Sequence, residues 1–154
     1  MPFIFWDNKL NIPPAVREMV EDWRGVGVEI SIYDKEDVRE ILCSFSREYA
    51  NLFRDLKIPA CMSDVARIAL LHKFGGMYVD AHIGPCNFPR LCAITEKLAS
   101  HKTIFFDRCD LHKQKSDIHL INGVIISRKG SVTLKKIMDH QMHKLKRQRE
   151  CEQN

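Results

Sequence analysis

Two adjacent glycines, Gly75 and Gly76, separate a helical run from a short apolar strand, and this junction is the strongest constraint on the fold. Val65, Ile68, Ala69 and His72 recur at helical spacing on one face, with Ala66 and Leu70 beside it, so the helix before the glycines is buried along a broad stripe. Ser63 is placed to cap its start. Glycine tolerates the backbone that stops a helix abruptly, after which the chain turns into Met77-Tyr78-Val79. That strand delivers Asp80 and His82 at its carboxyl end, and strand alternation about Ala81 points both the same way.

The amino-terminal third predicts a parallel sheet. Pro2 to Trp6 is short, apolar and aromatic, as a buried strand is. Pro13-Pro14 starts a helix with Val16, Met19, Val20 and Trp23 on one face, and Gly25 ends it. Val28 to Tyr33 reads as a second strand, and Asp34 turns the chain into the helical pattern of Val38, Ile41 and Leu42. Strand, helix, strand implies parallel pairing and an α/β fold. Ser46 to Leu56 is a further helical stretch. Thr103 to Phe106 and Ile121 to Ser127 read as later strands around a polar, mobile segment from Arg108 to Asp117, and Ser131 caps a last helix. The chain has 154 residues, 45% hydrophobic and 29% charged, which is the size of one domain with a genuine core, so 1–154 reads as a single domain.

Composition narrows the class. No apolar run approaches the roughly 20 residues that span a bilayer, and Met1 to Asp7 lacks the pattern of a leader, so a soluble, cytoplasmic protein is expected. Six cysteines without a Cys-x-x-Cys pair point to reduced, mostly buried thiols rather than a zinc ribbon or a disulfide scaffold. The net charge of +4 is modest and predicts no specific nucleic-acid partner. Basic residues gather in the last helix, where Lys135, Lys136, Lys144, Lys146, Arg147 and Arg149 interleave with Leu134, Ile137, Met138, Met142 and Leu145. A solvated basic face on a docked amphipathic helix is the plain reading, and contact with an anionic membrane surface is the alternative.

Asp80 stands where open α/β sheets bind ligands, outside the carboxyl ends of the strands. One carboxylate and one imidazole make a half-site for a divalent cation such as magnesium or manganese, and such a cation can bridge the phosphates of a diphosphate. Asp64 and Arg67 lie three apart on one helical face and can meet a sugar hydroxyl and a phosphate, or simply form a surface ion pair. His72 is expected in the core or at its boundary, while His112 and His119 are secondary candidates near the polar segment.

Ser63-Asp64-Val65-Ala66-Arg67 and then Leu71-His72-Lys73-Phe74-Gly75-Gly76-Met77-Tyr78-Val79-Asp80-Ala81-His82 resemble the sugar-nucleotide-binding region of DxD glycosyltransferases. That group includes capsular-polysaccharide transferases, yeast-type initiating mannosyltransferases and the glucosylating domains of large clostridial toxins. Phe3 to Trp6, Pro14 to Trp23 and the Asn122-Gly123 strand extend the resemblance over most of the chain. It implies a compact GT-A-like nucleotide-binding domain with a mostly parallel central sheet. It further implies that Trp6 stacks on the donor nucleobase, that Ser63, Asp64 and Arg67 serve the transferred sugar and diphosphate, and that Tyr78 lines the pocket. Asp80 and His82 would take the metal position, with Asn122 a further donor contact.

The resemblance therefore implies a metal-dependent hexosyltransferase that uses a nucleotide-diphosphate sugar, manganese for preference or magnesium, and retains anomeric configuration. The acceptor, whether glycan, lipid-linked or protein, is not specified. Two departures keep alternatives open. His82 replaces the second aspartate by a ligand that coordinates only when neutral, so affinity is expected to fall at acid pH. The short chain leaves few residues for acceptor walls, so the polar segment, the basic helix or a partner would supply them. The rival readings are a catalytically decayed domain that binds sugar nucleotide or a partner protein, and a nucleotide-sugar hydrolase.

Overall fold

The computed structural model describes residues 2–85, 88–96, 103–107 and 120–152. Strand β1 (Pro2–Phe5) is buried at every position, as its apolar sequence predicts. Helix α1 (Pro14–Gly25) begins at a proline whose missing N–H costs the first turn nothing, and it buries Val16, Met19 and Trp23. β2 (Ser31–Tyr33) pairs parallel with β1, Phe3 opposite Ser31 and Phe5 opposite Tyr33. It starts later than the predicted Val28, because the N–H groups of Val26, Gly27 and Val28 turn back to the carbonyls of Trp23 and Arg24 and close α1.

The Asp34 side chain accepts the N–H groups of Glu36 and Asp37 while Asp37 returns a bond to the Asp34 N–H, a capping box that starts α2 (Lys35–Phe45). Then follow α3 (Arg47–Asp55) and α4 (Pro59–Phe74). α4 starts five residues earlier than a cap at Ser63 would place it, since Pro59 occupies the first position. Ser63 therefore sits inside the helix and does not cap it, which corrects the sequence expectation. β3 (Gly76–Val79), α5 (Phe88–Glu96), β4 (Thr103–Asp107), β5 (Leu120–Ser127) and α6 (Val132–Glu152) complete the order. Nothing in the sequence reading anticipates α5. Ser131 does cap α6, its hydroxyl accepting the Leu134 N–H at 3.4 Å.

The five strands among the described residues form one sheet in the order β2-β1-β3-β5-β4. β1, β2 and β3 are parallel, β5 is antiparallel to β3, and β4 is antiparallel to β5, so only β5 runs against the rest. The α/β class with a mostly parallel sheet is thus as predicted. Side-chain alternation sorts the core into two layers. Phe3, Phe5, Tyr78 and Ile125 face α2, α3, α4 and α6, whereas Ile4, Met77, Val79 and Ile126 face α1. Leu134, Met138 and Met142 bury the apolar stripe of α6 against the first layer.

The cysteines depart from expectation. Cys43 and Cys151 are exposed, Cys61 and Cys92 are half-buried, and none of these four is disulfide-bonded. Cys43 lies one helical step from the buried Leu42, on the solvent side of the α2 stripe. Cys86 and Cys109 lie outside the described residues. No helix among the described residues is long and apolar enough to cross a membrane.

The glycine junction is held from two sides. Gly75 has φ of 69°, and a Cβ there would stand 2.5 Å from the backbone nitrogen of Lys129. The turn between β5 and α6 packs at this point, where Gly130 N–H reaches the His72 carbonyl at 2.9 Å and the His72 ring meets the Ser131 carbonyl at 3.1 Å. His72 is a boundary residue, as expected. Gly75→Ala combines a left-handed backbone penalty with a steric overlap and should cost roughly 2–5 kcal/mol in urea unfolding. A loss under about 1 kcal/mol would mean that the turn yields and does not lock the junction.

Candidate functional site

A cavity of about 730 Å³ opens outside the carboxyl ends of β1 and β3. β1 connects to β2 on one side and lies beside β3 on the other, so the cavity sits at the topological switch point of the sheet. Its walls come from four places. The loop after β1 gives Trp6, Asp7 and Asn8; the first half of α4 gives Pro59, Ala60, Ser63, Asp64 and Arg67; the chain after β3 gives Asp80, Ala81 and His82; and β5 gives Asn122. Trp6, Ser63, Asp64, Arg67, Tyr78, Asp80, His82 and Asn122, the main site residues singled out from the sequence, all line this cavity.

Arg67 is its centre. The side chain is only 7% exposed, and its N–H groups point at protein acceptors. Nε donates to the Ser63 carbonyl at 3.2 Å, Nη1 to the Asn122 carbonyl, and Nη2 to Ser63 Oγ at 2.9 Å. Nη2 also lies 3.1 Å from Asp64 Oδ1 and 3.4 Å from Asp80 Oδ1. The guanidinium stands over the Tyr78 ring, 5.0 Å from its centroid. The ion pair with Asp64 that the spacing allowed is therefore real, but its cation is buried. Its two carboxylate partners come from α4 and from the chain just after β3, which meet because the glycines fold β3 back along α4, and the Asn122 carbonyl reaches it from β5.

Asp80 and His82 reach the cavity differently from the way strand alternation implies. The Asp80 carbonyl accepts the Ile83 N–H at 2.9 Å, so the chain leaves β3 in a turn at Asp80. That turn, anchored by a bond from Trp23 Nε1 to the Ile83 carbonyl at 2.9 Å, sets the position of His82. The helix start at Pro59 likewise puts Asp64 and Arg67 in the second and third turns rather than at the free N–H groups, which belong to Ala60 and Cys61.

Tyr78 orders the hydrogen bonds. Its side chain is 1% exposed, and burial pushes the phenol well above its ordinary pKa, with the neighbouring Asp80 adding to the effect against Arg67. The hydroxyl stays protonated and donates to Asp80 Oδ1 at 2.9 Å. Ser63 Oγ, 3.0 Å away, then donates to the Tyr78 oxygen and itself accepts from Arg67. The chain of donors runs from Arg67 through Ser63 and Tyr78 to Asp80. Asn122 Nδ2 donates to Asp64 Oδ1 at 3.1 Å, and Gln141 of α6 bonds the Asp64 carbonyl at 3.2 Å.

The charges on the cavity wall do not balance. Three carboxylates, Asp7, Asp64 and Asp80, and one guanidinium, Arg67, line the cavity, a formal balance of −2 among the described wall residues with histidine counted neutral. A wall of that sign is unfavourable to an unaccompanied polyanion. Among the described residues no group of three or more His, Cys, Asp or Glu gathers to hold a metal. The donor set of one carboxylate and one imidazole fits a cation that fills its remaining positions with water and phosphate oxygens.

Trp6 is half-buried rather than core, and its Nε1 donates to the Asn11 carbonyl at 3.3 Å. Asp7, Asn8, Pro59 and Ala60 were missed from the sequence, although the loop after a strand and a proline-started helix are the signals that mark such walls. His112, His119 and the whole segment 108–119 lie outside the described residues. On α6, Lys146 pairs with Glu48 at 2.8 Å and Arg149 with Asp55 at 3.4 Å, so part of the basic face is neutralised within the chain.

The sequence model of one protein family, described as the glycosyltransferase sugar-binding region containing DXD motif, matches residues 2–104. No curated protein and no solved structure matches the chain. The matched span takes in β1, α4 and the Asp80-Ala81-His82 turn.

Removing the buried cation leaves two facing carboxylates and an unfilled space. Arg67→Ala should therefore destabilise by roughly 3 kcal/mol in urea unfolding, well beyond the effect of Asp64→Ala alone. Equal effects from the two substitutions would reduce Arg67 to one half of a surface ion pair.

Proposed function

Because this chain belongs to the family of glycosyltransferase sugar-binding regions containing a DXD motif, we propose that its cavity binds a nucleoside-diphosphate sugar and that the protein transfers the sugar to an acceptor. The observation that carries this reading is the pairing of Asp64 and Asp80 through one buried guanidinium, in a net-negative cavity at the switch point of the sheet.

In this reading Trp6 stacks on the nucleobase, beside Asp7 and Asn8. Asp80 and His82 hold the divalent cation, manganese for preference and magnesium as the alternative. The cation, when bound, neutralises charge on the departing diphosphate. Asp64 accepts a hydroxyl of the sugar through the oxygen that Asn122 and Arg67 leave open. Arg67 and Tyr78 act on the ligand mainly by fixing the two carboxylates, since their own polar groups are bonded within the protein. Retention of anomeric configuration and the GT-A architecture belong to this reading by resemblance. The membrane-peripheral variant rests on Lys144 and Arg147, which are exposed on α6.

The test is a titration of the pure protein with manganese and a panel of nucleotide sugars, following bound ligand and released nucleoside diphosphate. Release that requires an acceptor supports transfer. Release without any acceptor identifies a hydrolase, and binding without release identifies a binding domain. Asp80→Asn keeps an acceptor for the Tyr78 hydroxyl while removing the charge, so it should abolish manganese-dependent binding in a protein that still unfolds cooperatively. His82→Asp should keep that binding. Undiminished binding in Asp80→Asn would remove the cation from this position.

A further inference from the structure

β5 packs closely against the back of Asp80. β5 passes at Gly123, whose carbonyl accepts the Asp80 N–H at 2.7 Å. A Cβ on Gly123 would stand 3.0 Å from Asp80 Oδ2 and 2.9 Å from Ile83 Cδ1. Gly123 is not among the glycines with positive φ, so its backbone admits any residue and space alone excludes a side chain.

The two oxygens of Asp80 have different surroundings. Oδ1 accepts from the Tyr78 hydroxyl at 2.9 Å and lies 3.4 Å from Arg67 Nη2. Oδ2 faces the bare α-carbon of Gly123. With Oδ1 committed, Oδ2 is the oxygen left for a ligand, and Gly123 is the wall that lets it lie where it does. We propose that Gly123 is a positioning residue that sets where Asp80 presents Oδ2; the functional consequence rests on the reading of Asp80 as a cation ligand.

An added methyl has two neighbours, and they respond differently. The end of Ile83 is a flexible side chain and can swing aside. The carboxylate is tied at Oδ1, so moving Oδ2 rotates the group and draws Oδ1 off the Tyr78 hydroxyl. Ligand distances in cation sites hold to about 0.2 Å, so a displacement of a few tenths of an ångström is felt. Gly123 would thus act on the ligand only through Asp80.

The experiment compares the parent with Gly123→Ala, Ile83→Val and the double variant, using two readouts. The first is the side-chain carboxyl ¹³C resonance of Asp80 in metal-free protein, assigned with Asp80→Asn. The second is titration with manganese alone, followed by water-proton relaxation. Gly123→Ala should shift the resonance and raise the manganese half-saturation about 10-fold or more, as supporting groups around metal ligands do. Ile83→Val should leave both at parental values, and the double variant should not recover them. An unshifted resonance in folded Gly123→Ala, or recovery in the double variant, overturns the proposal. If Gly123→Ala does not fold, adding Asp80→Ala should restore folding by removing the obstructing carboxylate, and failure to do so also overturns it. A parent that binds no manganese defeats the metal reading, whereas the metal-free resonance still decides the role of Gly123.

Discussion

A guanidinium buried among two carboxylates, a hydroxyl, two carbonyls and an aromatic ring is the interaction on which the site depends. Burying an arginine is unfavourable unless its charge and its donors are met, and Arg67 meets them with groups from α4, β3 and β5 at once. Those groups are thereby fixed relative to one another. The same residue that makes the α4 sequence look like a surface ion pair is what holds the cavity wall together. A shorter cation would not serve as well, because lysine cannot direct donors at Ser63, Asn122, Asp64 and Asp80 from one planar fork.

The sheet supplies the frame for this cluster. Parallel β1 and β3 end side by side, and both faces of the sheet are covered, so the crevice beyond their carboxyl ends is the concave place left to fill. Supports reach it from the distant core as well. Trp23, buried in α1, anchors the Ile83 carbonyl, and Gln141 of α6 anchors the backbone of Asp64. β5, the one strand that runs against the others, contributes two consecutive residues with distinct tasks. Asn122 bonds Asp64 and Arg67, while Gly123 makes room for Asp80. Positions far apart in the chain thus converge on two carboxylates.

Much of this was legible in the sequence because it is written in local periodicity. The α1 stripe, the Gly75-Gly76 stop, the Ser131 cap and the alternation of β1 and β3 each follow from neighbouring residues. What was not legible depends on competition between local options or on partners distant in sequence. Ser63 looks like a cap because serine favours helix starts, but Pro59 begins the helix first and the hydroxyl goes to Tyr78. Val28 looks like a strand residue, but its N–H closes α1. Asp80 and His82 look like alternating strand positions, but the turn at Asp80 intervenes. The burial of Arg67 has no local signature, since it arises from β5 closing over the helix 55 residues away.

The inward commitment of Arg67 bears on how an anionic ligand can be held. A diphosphate meeting a free arginine would gain a direct charge-assisted pair. Here the guanidinium already serves Asp64 and Asp80, and Asp7 adds a third carboxylate, so the wall as a whole opposes an unaccompanied anion. The positive end of α4, at Ala60 and Cys61, offsets only part of that charge. On the proposed reading, attraction therefore resides in the cation and the phosphates together, and neither is held well alone. A free sugar lacks the charge to recruit the cation, and a free phosphate meets a cavity of its own sign. On that reading the buried arginine, by holding the carboxylates rather than the ligand, favours the complete cation–diphosphate unit over its parts.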